Sequence, residues 1–220
     1  MNLRARVIAI SILIFAALVY LFAWSSLFSV KSIEVIGLPK ELSAETVIAK
    51  TEIVKGEKLA RIEPRAIEKK LSEMSWVKQA SVDRNWINGH VTIALAARIP
   101  VGIFQGKALD ATGKLFELPG KTPNGLPVVS AGSPDLGLDA IDLFTALPAD
   151  IQSQVISINA ANQSSISSWQ TYSGRQIKVM WGSPRQVDLK VSVYRALLAL
   201  PENKNVKRVD LSAPHAPIVK

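Results

Sequence analysis

Trp76-Val77-Lys78-Gln79-Ala80-Ser81-Val82-Asp83-Arg84-Asn85-Trp86-Ile87-Asn88-Gly89-His90-Val91-Thr92-Ile93-Ala94-Leu95-Ala96-Ala97 decides how the first half of the chain folds. Val91, Ile93, Leu95 and Ala97 fall on one face of an extended chain, while Thr92, Ala94, Ala96 and Arg98 fall on the other. Asn88-Gly89 is a hairpin signal, because both residue types tolerate positive φ. The spacing therefore predicts a strand over 77–84, a turn and a return strand. Upstream, Ile33 and Val35 alternate with Ser32 and Glu34 in an opening strand that Gly37 closes. Ser43 is placed to N-cap a helix with Glu45 in its first turn and Leu42 stapling to Val47. Pro64 suits the first turn of a second helix whose Ile67, Leu71 and Met74 recur on one face. The order is strand, helix, helix, strand, strand, a small sheet covered by two helices over 28–104.

Further upstream, no residue between Arg6 and Lys31 is charged. About 20 apolar residues in helix cross a hydrocarbon core of roughly 30 Å, so residues 7–27 read as a transmembrane helix. Tyr20 and Trp24 stand near its downstream end, where amphipathic rings favour the interface. Arg4 and Arg6 precede it and the long hydrophilic remainder follows. The expectation is a cytoplasmic tail at 1–6 and the bulk of the chain outside. The alternative is a cleaved signal peptide with Ala23-Trp24-Ser25 at its cleavage site, although the apolar stretch exceeds the usual h-region.

Downstream, 105–220 reads as a second, β-rich domain. Asp110 and Gly113 bracket a turn between short strands, with Leu126-Pro127-Val128-Val129 beyond it. A short helix is expected at 139–147 and strands at 155–159, 166–172 and 176–181. Ser183 and Pro184 predict the start of a helix with Val187, Val191, Tyr194 and Leu198 on one face. A last strand runs over 206–211 into Pro214 and Pro217.

Composition bounds the function. Forty-eight per cent hydrophobic residues make a globular chain, and the absence of cysteine removes disulfides, thiolate metal sites and thiol nucleophiles. A net charge of +8 suits nucleic acid, anionic lipid or an anionic wall polymer, but no run of Lys and Arg interleaves with aromatics, so a solvated basic surface is preferred. Ser75-Trp76-Val77-Lys78 matches Ser-x-x-Lys and Ser157-Ile158-Asn159 a Ser-x-Asn element. The third element of that catalytic set is missing: Lys121-Thr122-Pro123 lacks the glycine and lies between the other two. Gly102 to Lys107 falls one residue short of a P-loop. His90 and His215 have no ligand-type neighbour at metal spacing, and Asp110 and Asp210 read as turn and strand-end residues. No enzyme, cofactor or small-molecule substrate is expected.

Element order and local signatures together resemble the FtsQ/DivIB family of bacterial cell-division proteins. Ala80-Ser81-Val82-Asp83-Arg84-Asn85-Trp86 is similar to the family's second strand with its Arg-x-Trp ending, and Val91-x-Ile93-x-Leu95-x-x-Arg98-x-Pro100-Val101 to its third strand and the segment after it. Ala97 stands where the family has Glu, Gly102 where it has Ala, and Ile87 where Pro usually follows the Trp. The 109–116 hairpin, the Leu-Pro strand and the ending Val209-Asp210-Leu211-Ser212-x-Pro214-x-x-Pro217 also resemble the family. The resemblance implies an α+β fold: a single transmembrane helix, a POTRA-like β-α-α-β-β module, then a mixed, mostly antiparallel β domain. It implies a non-enzymatic scaffold in the cell membrane at the septum, which recruits and regulates septal peptidoglycan synthesis. Its partners would be FtsB- and FtsL-like bitopic coiled-coil proteins and, through them, the septal peptidoglycan synthase; no nucleic acid is involved. Lys207, Arg208, Val209, Asp210, Leu211 and Ser212 are the expected partner-binding strand, with Val209 and Leu211 facing the core and Arg208 and Asp210 on the other face. The tail around Pro214 merely covering that edge is the alternative. A POTRA-type client-binding or translocation factor, and a wall-active enzyme, are the rival functions.

Overall fold

The structure is a computed structural model that describes residues 3–24 and 28–220, without the side chains at 3, 5 and 21–24. The first element is helix α1 (Leu3–Trp24). Among the described residues no helix is long and apolar enough to cross a membrane. The continuous run of described side chains in α1 is Arg6 to Tyr20, and the rest of the expected 7–27 span, with Ala23-Trp24-Ser25 of the alternative cleavage site, lies outside the described side chains. The remainder forms an α+β chain in two units, which divide between Arg98 and Ile99.

In the first unit β1 (Ser32–Ile36), α2 (Ala44–Thr51), α3 (Pro64–Ser72), β2 (Val77–Asn85) and β3 (His90–Ala97) follow in the expected order. The sheet order is β1-β3-β2, with β1 parallel and β2 antiparallel to the central β3. The period-2 reading of β3 holds, since Val91, Ile93 and Leu95 are buried. Val47 from α2 and Ile67 and Leu71 from α3 are buried with them. Ser43 occupies the N-cap of α2, but its hydroxyl meets the Thr46 hydroxyl at 3.2 Å rather than a backbone N–H. Arg84 on β2 donates to the carbonyls of Leu59 (2.9 Å) and Ile62 (2.6 Å), tying a 3-10 turn to the sheet. At the outer edge strand β2, the Val82 N–H is taken by the Glu68 carboxylate of α3 at 2.9 Å, which blunts that edge.

The second unit holds β4 (Pro100–Phe104), β5 (Lys107–Asp110), β6 (Leu115–Phe116), β7 (Val128–Ala131), α4 (Pro134–Ala146), α5 (Ala149–Gln152), β8 (Val155–Ala160), β9 (Ile166–Tyr172), β10 (Arg175–Gly182), α6 (Val187–Ala199), β11 (Arg208–Asp210) and β12 (Ile218–Val219). They make one mixed sheet in the order β12-β11-β10-β9-β8-β7-β4-β5-β6. The pairs β4·β7, β7·β8 and β10·β11 are parallel and the rest antiparallel. A single core takes Ala140, Ile141 and Leu143 from α4, Val191 and Tyr194 from α6, and one face of the strands. Asp110 Oδ1 accepts from the backbone N–H groups of Thr112 (2.8 Å) and Lys114 (3.0 Å), closing the β5–β6 turn as its sequence implies.

Three expectations change. Residues 100–104 leave the first module, because β4 pairs with β5 and β7 and not with β3. Helix α4 starts before 139: Ser133 caps it, its hydroxyl accepting from the Leu136 N–H at 3.3 Å, with Pro134 next. Helix α6 starts at Val187 rather than beside Ser183, with Gln186 as a left-handed N-cap. The Ser183 carbonyl is committed elsewhere, accepting from Lys190 Nζ at 2.7 Å.

Lys190 is only 2% exposed, and burial holds its ammonium below the usual lysine range. The charged form is thus disfavoured in the folded chain, so the unfolded chain binds more protons and stability rises as pH climbs through the lowered value toward about 10.4. Lys190→Met removes that cost but leaves the Ser183 carbonyl without this donor. Its stability should stay within about 1 kcal/mol of wild type at neutral pH. Wild type should gain stability between about pH 7 and pH 10 relative to the variant. Guanidinium unfolding at both pH values checks this; parallel curves would refute a buried charge.

Candidate partner-binding edge

Strand β11 lies between two others, so it is not the free edge its place in the sequence suggested. On one side it runs parallel to β10, with the Lys178 N–H donating to the Lys207 carbonyl at 2.9 Å and the Leu211 N–H to the Met180 carbonyl at 2.7 Å. On the other it pairs antiparallel with β12, Val209 opposite Val219 and Asp210 opposite Ile218. Arg208 and Lys220 exchange both backbone hydrogen bonds at 2.9 Å, and the Lys207 N–H also reaches the Lys220 carbonyl at 2.7 Å. The outermost strand is therefore β12, two residues long. Arg208 and Lys220 bond to each other, so the main-chain groups of Val219 point away from β11.

The expected site residues divide by role. Val209 and Leu211 are fully buried in the core. Lys207 and Arg208 are exposed. Arg208 reaches the Asp210 carboxylate at 3.4 Å, and Asp210 Oδ1 accepts from the Ser212 hydroxyl at 2.6 Å and the Ser212 N–H at 3.1 Å. Partial burial pushes the Asp210 carboxyl up, but the Ser212 hydrogen bonds and the Arg208 charge outweigh it and hold the group below the usual carboxylate range. Asp210 thus stays ionised and fixes the turn that leads toward β12.

The pairing register brings further residues beside this edge. Ser157, Trp169, Lys178 and Arg208 lie opposite one another across β8, β9, β10 and β11. They line the face opposite the core, and the Lys178 ammonium stands 5.8 Å from the Trp169 ring centroid. The next row holds Asn159, Ser167, Met180, Asp210 and Ile218. Ile218 is 55% exposed. The sequence reading missed Ile218, Val219, Trp169 and Lys178. A two-residue strand after Pro217 shows no period, and a cross-strand row is legible only once the register is known.

The Ser-x-x-Lys match does not assemble: Ser75 lies in a turn, Lys78 is exposed at the start of β2, and Ser157 and Asn159 lie in the other unit. His90 Nδ1 lies 2.7 Å from the Ser32 hydroxyl and Nε2 3.0 Å from the Glu34 carboxylate, a cross-strand contact between β3 and β1. Among the described residues no group of three or more His, Asp or Glu is placed to hold a metal ion.

Two family models match in tandem. The POTRA domain of FtsQ type covers residues 28–96, and the C-terminal domain of cell division protein FtsQ/DivIB covers 97–212. Their junction falls within two residues of the observed division, and β12 lies beyond the matched region. The chain is also 28% identical over 233 residues to the cell division protein FtsQ of Mycolicibacterium smegmatis, across 99% of this chain and 67% of that protein. With more than half its length matched by the C-terminal model, and the FtsQ-type POTRA domain directly before it, the chain belongs to the FtsQ/DivIB family of non-enzymatic cell-division proteins.

Proposed function

We propose that this protein is a bitopic division scaffold that recruits and regulates septal peptidoglycan synthesis through protein–protein contacts. The tandem match of both extracytoplasmic modules carries the reading. The anchor is α1, with 1–6 in the cytoplasm and 28–220 outside. In support, its large apolar side chains from Val7 to Tyr20 are exposed around the whole helix, as on a segment solvated by lipid. FtsB- and FtsL-like bitopic coiled-coil proteins are the proposed partners, and through them the septal synthase.

The partner contact proposed from the sequence at Lys207 to Ser212 moves outward by one strand. A partner strand adds to the outer edge of β12, where Val219 offers main-chain groups, while Arg208 and Asp210 beside it supply specificity. Depletion tests the function and one variant tests the edge. Cells losing the protein should elongate without completing septa, and wild type, carried on a fluorescent fusion, should form a midcell band and restore division. Val219→Pro removes one outward N–H while sparing the Arg208–Lys220 bonds, so it should fold like wild type yet restore septation poorly. Normal septation after verified depletion would overturn the scaffold role. Full rescue by the proline variant would move the interface elsewhere.

A further inference from the structure

Among the described residues outside α1 the most exposed large apolar side chain is Ile87, at 93%, and it stands beside Trp86 at the tip of the β2–β3 hairpin. The tip is a four-residue turn over 86–89, not a two-residue one. Asn85 Oδ1 accepts from the Ile87 (3.0 Å) and Asn88 (3.2 Å) N–H groups, and the Gly89 N–H donates to the Asn85 carbonyl at 2.9 Å. This turn is locked against the segment that follows α1. The Lys31 N–H donates to the Gly89 carbonyl at 2.8 Å, and the Phe28 and Trp86 ring centroids are 6.4 Å apart. Gly89 has φ +74°, and a Cβ there would lie 2.5 Å from the Ser29 carbonyl oxygen, so the approach needs glycine. On the other flank the Gly56 N–H donates to the Val30 carbonyl at 2.8 Å, placing the turn with exposed Val54 and Lys55 beside the same segment.

We propose that the hairpin tip, Trp86-Ile87, sits in the lipid interface of the membrane that α1 crosses, an interaction surface for phospholipid rather than for a protein. The inference rests on the reading of α1 as a span. Whatever the direction of α1, Phe28 is four peptide steps from its end at Trp24, at most about 14 Å away. The tip, clamped to 28–31, cannot leave that neighbourhood without breaking the contacts above. An aliphatic side chain held there with no protein covering it gains most from the acyl boundary. The amphipathic Trp86 ring favours the headgroup level. Lys31 is exposed at the clamp, and the Arg84 guanidinium, which also donates to the Leu59 and Ile62 carbonyls, stands 5.1 Å from the Trp86 ring centroid. These basic groups suit phosphate-bearing headgroups.

The chain has no cysteine, so single nitroxide labels report depth cleanly. The full chain is reconstituted in vesicles of phosphatidylcholine and phosphatidylglycerol, with cysteine placed in turn at Leu13, Ile87 and Lys78. Lys78 lies at the other end of β2 from the tip. Collision with oxygen against a water-soluble nickel chelate should place label 13 in the hydrocarbon and label 78 in water. Label 87 should sit about 5–10 Å into the headgroup and acyl boundary. Label 87 behaving like label 78, with label 13 buried, overturns the proposal and leaves the span standing. Label 13 reached by nickel overturns the span, and the proposal with it.

Discussion

Gly37→Ala should strongly destabilise the first unit while leaving the second unchanged. Gly37 follows β1 directly and has φ +76°, and a Cβ on it would lie 1.9 Å from the Leu95 carbonyl oxygen of β3. The obstructing atom belongs to backbone, so no rotamer change makes room. Relief requires β1 to move off β3, and β1 is bound to β3 through five register pairs from Ser32↔His90 to Ile36↔Ala94. Alanine at positive φ adds about 1 kcal/mol of strain. We expect a total cost of about 3–5 kcal/mol, against about 4–10 kcal/mol for a unit of this size. Amide exchange should show the β1 and β3 protons losing protection while those of β9 and β10 keep theirs. Unchanged protection in β3 would mean that the close approach at Gly37 is not a tight one.

The second large effect lies in the other unit. Trp181 is fully buried on β10; its Nε1–H donates to the Ser168 hydroxyl at 2.9 Å and its ring lies 5.7 Å from that of Tyr194. The Tyr194 hydroxyl donates to Gln170 Oε1 at 2.8 Å, and Gln170 Nε2 donates to Ser168 at 2.9 Å, closing a buried polar network among β9, β10 and α6. Burial pushes the Tyr194 phenol well above the ordinary tyrosine range, so it remains a donor at any working pH. Trp181→Ala empties a large volume at the centre of that network and should cost about 3–5 kcal/mol. Trp181→Phe keeps most of the volume and loses one hydrogen bond, for about 1–2 kcal/mol. Guanidinium unfolding followed by far-ultraviolet circular dichroism separates the two. Equal losses from Ala and Phe would show that the hydrogen bond, rather than packing, holds this core.

Local pattern carried much of the fold. The alternation in β3, Pro64 at the start of α3 and the Asp110 turn each involve residues within a few positions of one another, so their signals survive in one dimension. The start of α4 also carries a local signal, Ser133 followed by Pro134, whereas the start of α6 departs from its local one. At α6 the helix begins at Val187 with Gln186 as its cap, and the Ser183 carbonyl accepts from the buried Lys190.

The sequence by itself determined two modules in tandem, most of their strands and helices, the absence of thiol chemistry and the family, because side-chain periodicity and turn chemistry are written locally. Only the tertiary structure decided that β4 belongs to the second unit, that Trp169, Lys178 and Arg208 share a row, and that β12 covers β11 and becomes the edge. Those outcomes depend on which backbone N–H meets which carbonyl across the sheet. Main-chain hydrogen bonds are alike at nearly every residue, so strand order and register emerge from packing the core face and leave no mark in a segment as short as Ile218–Val219.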